Sequence, residues 1–135
     1  MSLTRAEIRA NREKWVAFLQ EPERKKARHV LARGNNTEHR CCLGHACHVL
    51  DPERKTGWGV HDGLPPDEIV QMLGLWSEDG FIGSHELTYG KTKERRLAAL
   101  NDGTRMRPQE IGKMLAGMIE GGVGTPFKPL TDYRE

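Results

Sequence analysis

His39-Arg40-Cys41-Cys42-Leu43-Gly44-His45-Ala46-Cys47-His48 is the stretch whose reading decides the fold. It holds six soft or borderline metal ligands in ten residues. Leu43, Ala46, Cys47 and Leu50 recur at helical spacing, so the pattern predicts a short helix over 43–50. Asp51-Pro52 closes it, because proline cannot continue a helix.

Three chemistries suit this helix. The first is packing: a free cysteine is among the most buried residue types and fills space as a small hydrophobe. Cys42 and Cys47 fit that role beside Leu43, Val49 and Leu50. The second is zinc. Cys41, His45 and His48 fall at i, i+4 and i+7 on one stripe. Tetrahedral zinc accepts such a set with His39, Asp51 or a distant residue as the fourth ligand. A structural zinc site, however, usually pairs two separated knuckles, and no second cysteine pair exists in the sequence. The third is nucleophilic catalysis: a thiolate at a helix N-terminus is stabilised by the dipole, with His39, His45 or His61 as base. No protease-type signature surrounds these residues. Packing is the favoured reading, zinc the alternative.

Working outward toward the N-terminus, Ala27–Ala32 and Thr37–Cys42 flank the turn-rich Arg33-Gly34-Asn35-Asn36. Two short extended segments about such a turn predict a β-hairpin. Before it lies the clearest helix. Thr4-Arg5-Ala6-Glu7 reads as a capping box, Ile8, Trp15, Phe18 and Leu19 form one stripe through Asn11 or Arg12, and Pro22 stops the run. Between helix and hairpin, Arg24, Lys25, Lys26 and Arg28 make the densest basic spot, either a solvated face or an anion-binding patch.

Toward the C-terminus, residues 52–63 read as a loop holding Trp58 and His61. Flexible backbone beside an aromatic is a common binding composition, which makes Trp58 and His61 candidate contact residues. Leu64-Pro65-Pro66-Asp67-Glu68 starts a helix that runs to Gly74, since proline and acids both suit a first turn. Phe81-Ile82 and Glu86–Tyr89 are candidate short strands. Lys93–Leu100 is expected to be helical, Asn101-Asp102-Gly103 a turn, and Pro108 to about Glu120 a helix. The run 97–119 also resembles the first two helices of a helix-turn-helix, with Arg107, Gln109 and Lys113 able to face DNA. His61-Asp62 and His85-Glu86 are adjacent acid–base pairs whose side chains diverge. No phosphate-loop or dinucleotide fingerprint occurs.

The 135 residues suit one domain; 36% hydrophobic and 30% charged is polar for a globular chain, but Trp15, Trp58, Trp76 and the regular apolar spacing argue against wholesale disorder. The expected class is α+β: a helix-dominated single domain over 1–120 with a small β-hairpin or short sheet, and a loosely packed tail over 121–135. The net charge of +2 is small, but the first 60 residues carry 12 Lys/Arg against 7 Asp/Glu and the rest 9 against 12. No apolar run is long enough to span a membrane, and Met1–Arg12 lacks the apolar core of a signal peptide. Three cysteines, two of them adjacent, do not suggest a disulfide framework. The expectation is a cytoplasmic protein.

Cys41-Cys42-Leu43-Gly44-x-x-Cys47 resembles the core of a family of small uncharacterised phage and prophage proteins. Leu64–Val70 with Leu73-Gly74-Leu75, the Leu-Asn-Asp-Gly segment within Leu97–Gly103, and Glu110-Ile111 follow in the family's order, and Trp15 in the first helix also fits. The resemblance spans about residues 12–120. It departs at Arg40, where relatives tend to have an aromatic, at His45, where they have an aliphatic residue, and at His48, where they have an acid. It implies a phage or mobile-element accessory protein and supplies no catalytic residues. The expected function is therefore non-enzymatic binding of a host protein or small ligand, with nucleic acid a lesser candidate and no membrane partner. The alternatives are a zinc module on Cys41, His45 and His48, and a DNA binder using 97–119.

Overall fold

The structure is a computed structural model that describes residues 2–33, 36–59, 63–81, 87–89 and 92–135. It has the expected class, a helix-dominated α+β domain. Helix α1 (Arg5–Gln20) opens with the predicted capping box: the Glu7 N–H donates to Thr4 Oγ1 at 3.2 Å, and the Thr4 N–H donates to Glu7 Oε1 at 3.0 Å. Ile8, Trp15, Val16 and Leu19 bury completely or nearly so, and α1 packs against α5 (Pro108–Ala116), α2 (Cys42–Leu50) and α3 (Asp67–Leu73). This is the apolar stripe acting as the spine of the core.

Three short strands follow α1. They are β1 (Lys25–Lys26), β2 (Ala32–Arg33) and β3 (Asn36–Arg40), in the spatial order β1-β3-β2. The predicted hairpin is β2 with β3, antiparallel, with Ala32 opposite Arg40. Its Gly34-Asn35 turn lies outside the described residues. The sheet has one more strand than a hairpin supplies: β1 lies parallel to β3, with Lys25 opposite His39 and Lys26 opposite Arg40.

Helix α3 ends as expected at Gly74, whose φ of 64° is the left-handed conformation that glycine adopts without a Cβ clash. Three expectations are corrected. Lys93–Leu100 is not one helix. Thr92–Glu94 is strand β5, paired antiparallel with β4 (Leu87–Tyr89), and helix α4 (Leu97–Gly103) starts only after Arg96, whose side chain pairs with Asp79 at 2.7 Å. The run Thr92–Arg96 has no apolar residue to hold a helix face on the core. Asn101-Asp102-Gly103, expected as a turn, is the last turn of α4, because Asn101 is buried and hydrogen-bonded there. Phe81 bridges to Arg96, and Ile82–Glu86, which include part of the expected strands, lie outside the described residues.

The third correction concerns residues 121–135, which are not a loose tail. Phe127 and Leu130 are buried, Phe127 bridges to Leu75, and its ring meets Trp15 edge-on at 6.0 Å. The end of the chain also closes on α1: the Arg5 N–H donates to the Arg134 carbonyl at 2.7 Å, and the Arg5 guanidinium donates to the carbonyls of Leu130 and Tyr133.

Arg12 fastens these pieces. It is fully buried, and its guanidinium donates to the carbonyls of Leu73 (2.7 Å), Gly74 (3.3 Å), Ile119 (2.7 Å) and Lys128 (2.8 Å). Burial lowers its pKa to about 10, with Tyr133 and Glu120 acting against the shift, so it remains a cation at neutral pH. Among the described residues no helix is long and apolar enough to cross a membrane.

Candidate functional site

The Cys-Cys-Leu-Gly segment begins α2, and each residue there has a packing reason. Cys41 is the N-cap: its Sγ accepts the Gly44 N–H at 3.2 Å. Cys42 is fully buried, its N–H donates to Asn101 Oδ1, and its carbonyl accepts the Trp15 Nε1–H at 2.9 Å. Leu43 and Cys47 are fully buried in the core cluster. Gly44 has no room for a side chain, since a Cβ there would lie 1.7 Å from the Leu31 carbonyl oxygen.

Position at a helix N-terminus does not activate these thiols. Burial pushes the Cys41 thiol up to about 11, against the helping hydrogen bonds from Gly44 and Leu43, and burial with the neighbouring Cys41 pushes Cys42 well above the ordinary range. None of the three cysteines is in a disulfide.

The structure does not gather the zinc set. His45 is fully buried, with Nε2 at 2.7 Å from the Lys25 carbonyl oxygen, and its ring lies against Phe18. Burial holds its pKa down to about 3; the Lys25 carbonyl acts against the shift, and Arg40 and Arg24 add to it. His48 is half-buried, with its ring 5.6 Å from that of Phe18. Among the described residues no three His, Cys, Asp or Glu side chains form a metal-holding group.

The loop candidates divide. Trp58 is 3% exposed, its indole N–H donates to the Asp51 carbonyl at 2.8 Å, and the Arg54 guanidinium lies 4.5 Å over its ring. It anchors the loop. His61 lies outside the described residues. In the helix-turn-helix reading, Arg107 and Lys113 are exposed, but the Gln109 amide donates to the carbonyls of Glu21 and Arg24 at 2.9 and 3.0 Å. Gln109 thereby ties α5 to the chain after α1.

The basic run splits by side. Lys26 Nζ donates to the carbonyls of Thr104 (2.7 Å) and Met106 (2.8 Å), and Arg28 to Thr104 at 3.0 Å. These two bind the segment that follows α4. Arg24 and Lys25 face the other way, into a cleft of about 430 Å³ lined by Phe18, Glu23, Arg24, Lys25, Arg40 and His48. Arg24 lies 3.5 Å over the Phe18 ring, donates to the Phe18 carbonyl at 2.9 Å and pairs with Glu21. Arg40 is 5% exposed.

Four parts of the chain thus deliver one cleft: the end of α1, the segment that leads into β1, the end of β3, and α2. Three guanidinium groups act on its histidine. Burial lowers the pKa of His48, and Arg40, Arg24 and Arg54 lower it further, so its imidazole is neutral at neutral pH. Arg24 and Lys25 were visible in the sequence as part of a basic spot. Arg40 stands 15 residues beyond Lys25 in the sequence. The parallel pairing of β1 with β3 brings it there, and nothing local in the sequence announces that register.

Compared with family models, with curated proteins and with solved structures, the chain shows no match to any of them.

Proposed function

We propose that this chain is a non-enzymatic interaction protein of phage or mobile-element type, working in the cytoplasm by occupying an anionic host protein or small ligand at the Phe18–Arg24–Lys25–Arg40–His48 cleft. The observation that carries the reading is the convergence of Arg24, Lys25 and Arg40, from separate parts of the chain, on one cleft, where among the described residues Glu23 lines the cleft and Glu21 and Glu23 pair with Arg24. Clefts lined by one sign of charge concentrate oppositely charged partners. The groups that would suit catalysis support it from the other direction: the Cys41 and Cys42 thiols are buried and held protonated, and His45 is buried and held neutral. The order of the Cys-Cys-Leu-Gly, Leu-Gly-Leu and Leu-Asn-Asp-Gly segments supports the phage-type assignment.

A photo-activated crosslinker at position 25, compared with one at Lys113 on α5, tests the cleft in bacterial cells. The readout is intact-mass spectrometry, which registers a protein or a small adduct equally. A discrete adduct from position 25 alone supports the reading. Equal adducts from both positions, or none from either, overturn it.

A further inference from the structure

A second pocket, of about 240 Å³, opens where the two ends of the chain meet the end of α3. It shares no lining residue with the Phe18 cleft. Leu3 and Val70, both half-buried, give it an apolar side, and the buried Ile8 and Leu75 complete that part of the lining. Its polar side comes from the closing segment, through Lys128 and Tyr133.

Backbone bonds fix both of these residues. The Lys128 N–H donates to the Gly74 carbonyl at 2.7 Å and its carbonyl accepts from Arg12, while the Tyr133 N–H donates to Leu130 and its carbonyl accepts from Arg5. Their side chains are left over: among the described residues, neither the Lys128 ammonium nor the Tyr133 hydroxyl has a hydrogen-bond or ion-pair partner. Burial raises the pKa of Tyr133, against the pull of Arg12, so the hydroxyl keeps a proton to donate at neutral pH.

The lining selects a ligand by what it lacks as well as by what it offers. No carboxylate lines the pocket among the described residues. The nearby acids are Asp132, beside Tyr133 in the chain, Glu120, which acts on Arg12, and Asp67, one helical turn before Gln71. Arg12 gives its hydrogen bonds to four carbonyls and is not counted as a donor. An amine would therefore meet Lys128 with no acid to pair with. An alcohol would cover the ammonium without pairing it, which costs desolvation. A dianion would exceed the one ammonium on offer. A volume of about 240 Å³ holds about eight water-sized groups.

We infer that this pocket binds a small aliphatic monocarboxylate, its carboxylate accepting from Lys128 and Tyr133 and its chain of about four to six carbons lying against Leu3 and Val70. Binding joins both ends of the chain to α3. The site is independent of the proposed cleft.

NMR titration of the full chain at pH 7 with pentanoate, 1-pentanol and pentylamine tests this. Pentanoate should give saturable shifts at Leu3, Val70, Leu75 and Tyr133, half-complete at roughly millimolar concentration, as suits a ligand of so few atoms. The alcohol and the amine should each bind about tenfold more weakly or worse. Tyr133→Phe and Lys128→Met, which keep every backbone bond, should each weaken pentanoate about fivefold or more and leave 1-pentanol within about twofold. Lys113→Met, on α5, should leave pentanoate within about twofold. If Lys128→Met does not fold, Lys128→Gln is read the same way.

No saturable response to pentanoate, an alcohol or amine that binds as tightly, or equal loss from the Lys128 and Lys113 variants overturns the inference and leaves the cleft reading standing. Shifts at Phe18, Arg24 and His48 in place of the pocket residues also overturn it, and move the carboxylate to the cleft.

Discussion

Asn101 holds the first turn of α2: its side-chain oxygen accepts the Cys42 backbone N–H at 3.1 Å, from 59 residues along the chain. Its amide donates to the Ala27 carbonyl at 2.9 Å, so one buried side chain joins α4, α2 and the segment after β1. The Leu-Asn-Asp-Gly and Cys-Cys-Leu-Gly segments therefore meet in space as a cap and the helix end it covers.

Asn101→Leu leaves a buried N–H and a buried carbonyl without their partner and should cost about 2–4 kcal/mol in urea denaturation. Asn101→Asp keeps the acceptor but turns the donor into an oxygen facing the Ala27 carbonyl and Asp102. It should be the weaker protein at pH 7 and should recover part of its loss as the pH falls and the new carboxyl takes a proton.

Gly44 and Gly103 make a matched pair. Gly44→Ala drives a methyl into the Leu31 carbonyl and should cost roughly 3 kcal/mol or more. Gly103→Ala, at the end of α4 with nothing within 4 Å of the new atom, should be neutral or stabilising by up to about 1 kcal/mol. Denaturant midpoints of the two variants check the contrast.

The cysteines should behave as structure. Iodoacetamide at pH 8 should leave Cys41 and Cys42 unmodified in the native protein and label them in urea, because burial both shields the thiols and raises their pKa. Cys41→Ser keeps a capping acceptor and should stay within about 1 kcal/mol of the parent, whereas Cys41→Ala should lose about 1 kcal/mol. Peptide mass mapping and thermal melts provide the two readouts.

Acid sensitivity follows from His45. Its folded pKa of about 3 lies below the ordinary 6.5, so between those values the unfolded chain binds a proton that the native chain refuses. The His45 contribution is complete above pH 6.5 and falls as the pH drops toward 3. Between pH 6 and 4.5 the loss should be roughly 2 kcal/mol. This window lies above the range in which the carboxylates of Glu7, Glu23 and Asp51, all lowered, would add their own losses. His48, also lowered, adds to the slope in the same direction. His45→Gln should flatten most of it, as followed by denaturation at each pH.

The closing segment offers the plainest mutational contrast. Phe127 is fully buried between the Trp15 edge and the Arg12 guanidinium, 4.5 Å from its ring centre. Phe127→Ala should cost about 3–5 kcal/mol. Val123→Ala, four residues earlier and 85% exposed, should stay within about 0.5 kcal/mol. Parallel chemical denaturation of the two separates a packed segment from a loose one.

What was legible in the sequence is what local chemistry encodes. The Thr4–Glu7 box, the α1 stripe, the α2 face, Gly74 as a stop and the β2–β3 hairpin each depend on residues a few positions apart. What was missed depends on distance along the chain. Phe127 has polar and proline neighbours and reads as tail until Trp15 and Leu75 are placed beside it. Arg12 sits on the apolar stripe as an apparent interruption, because its four carbonyl partners come from the end of α3 and the segments after α5. The same limit hid the cleft: Arg24 and Lys25 are adjacent to each other but 15 or more residues from Arg40, and only a parallel strand pairing closes that gap.

The Arg12 hub has a dynamic consequence. Releasing Lys128 or Ile119 from it strands a buried cation and also frees the end of α3, so these segments cannot fray one at a time. Amide hydrogens at Trp76, Lys128 and Leu130, which bond between these segments, should exchange with solvent at one shared opening free energy instead of in a gradient from the C-terminus.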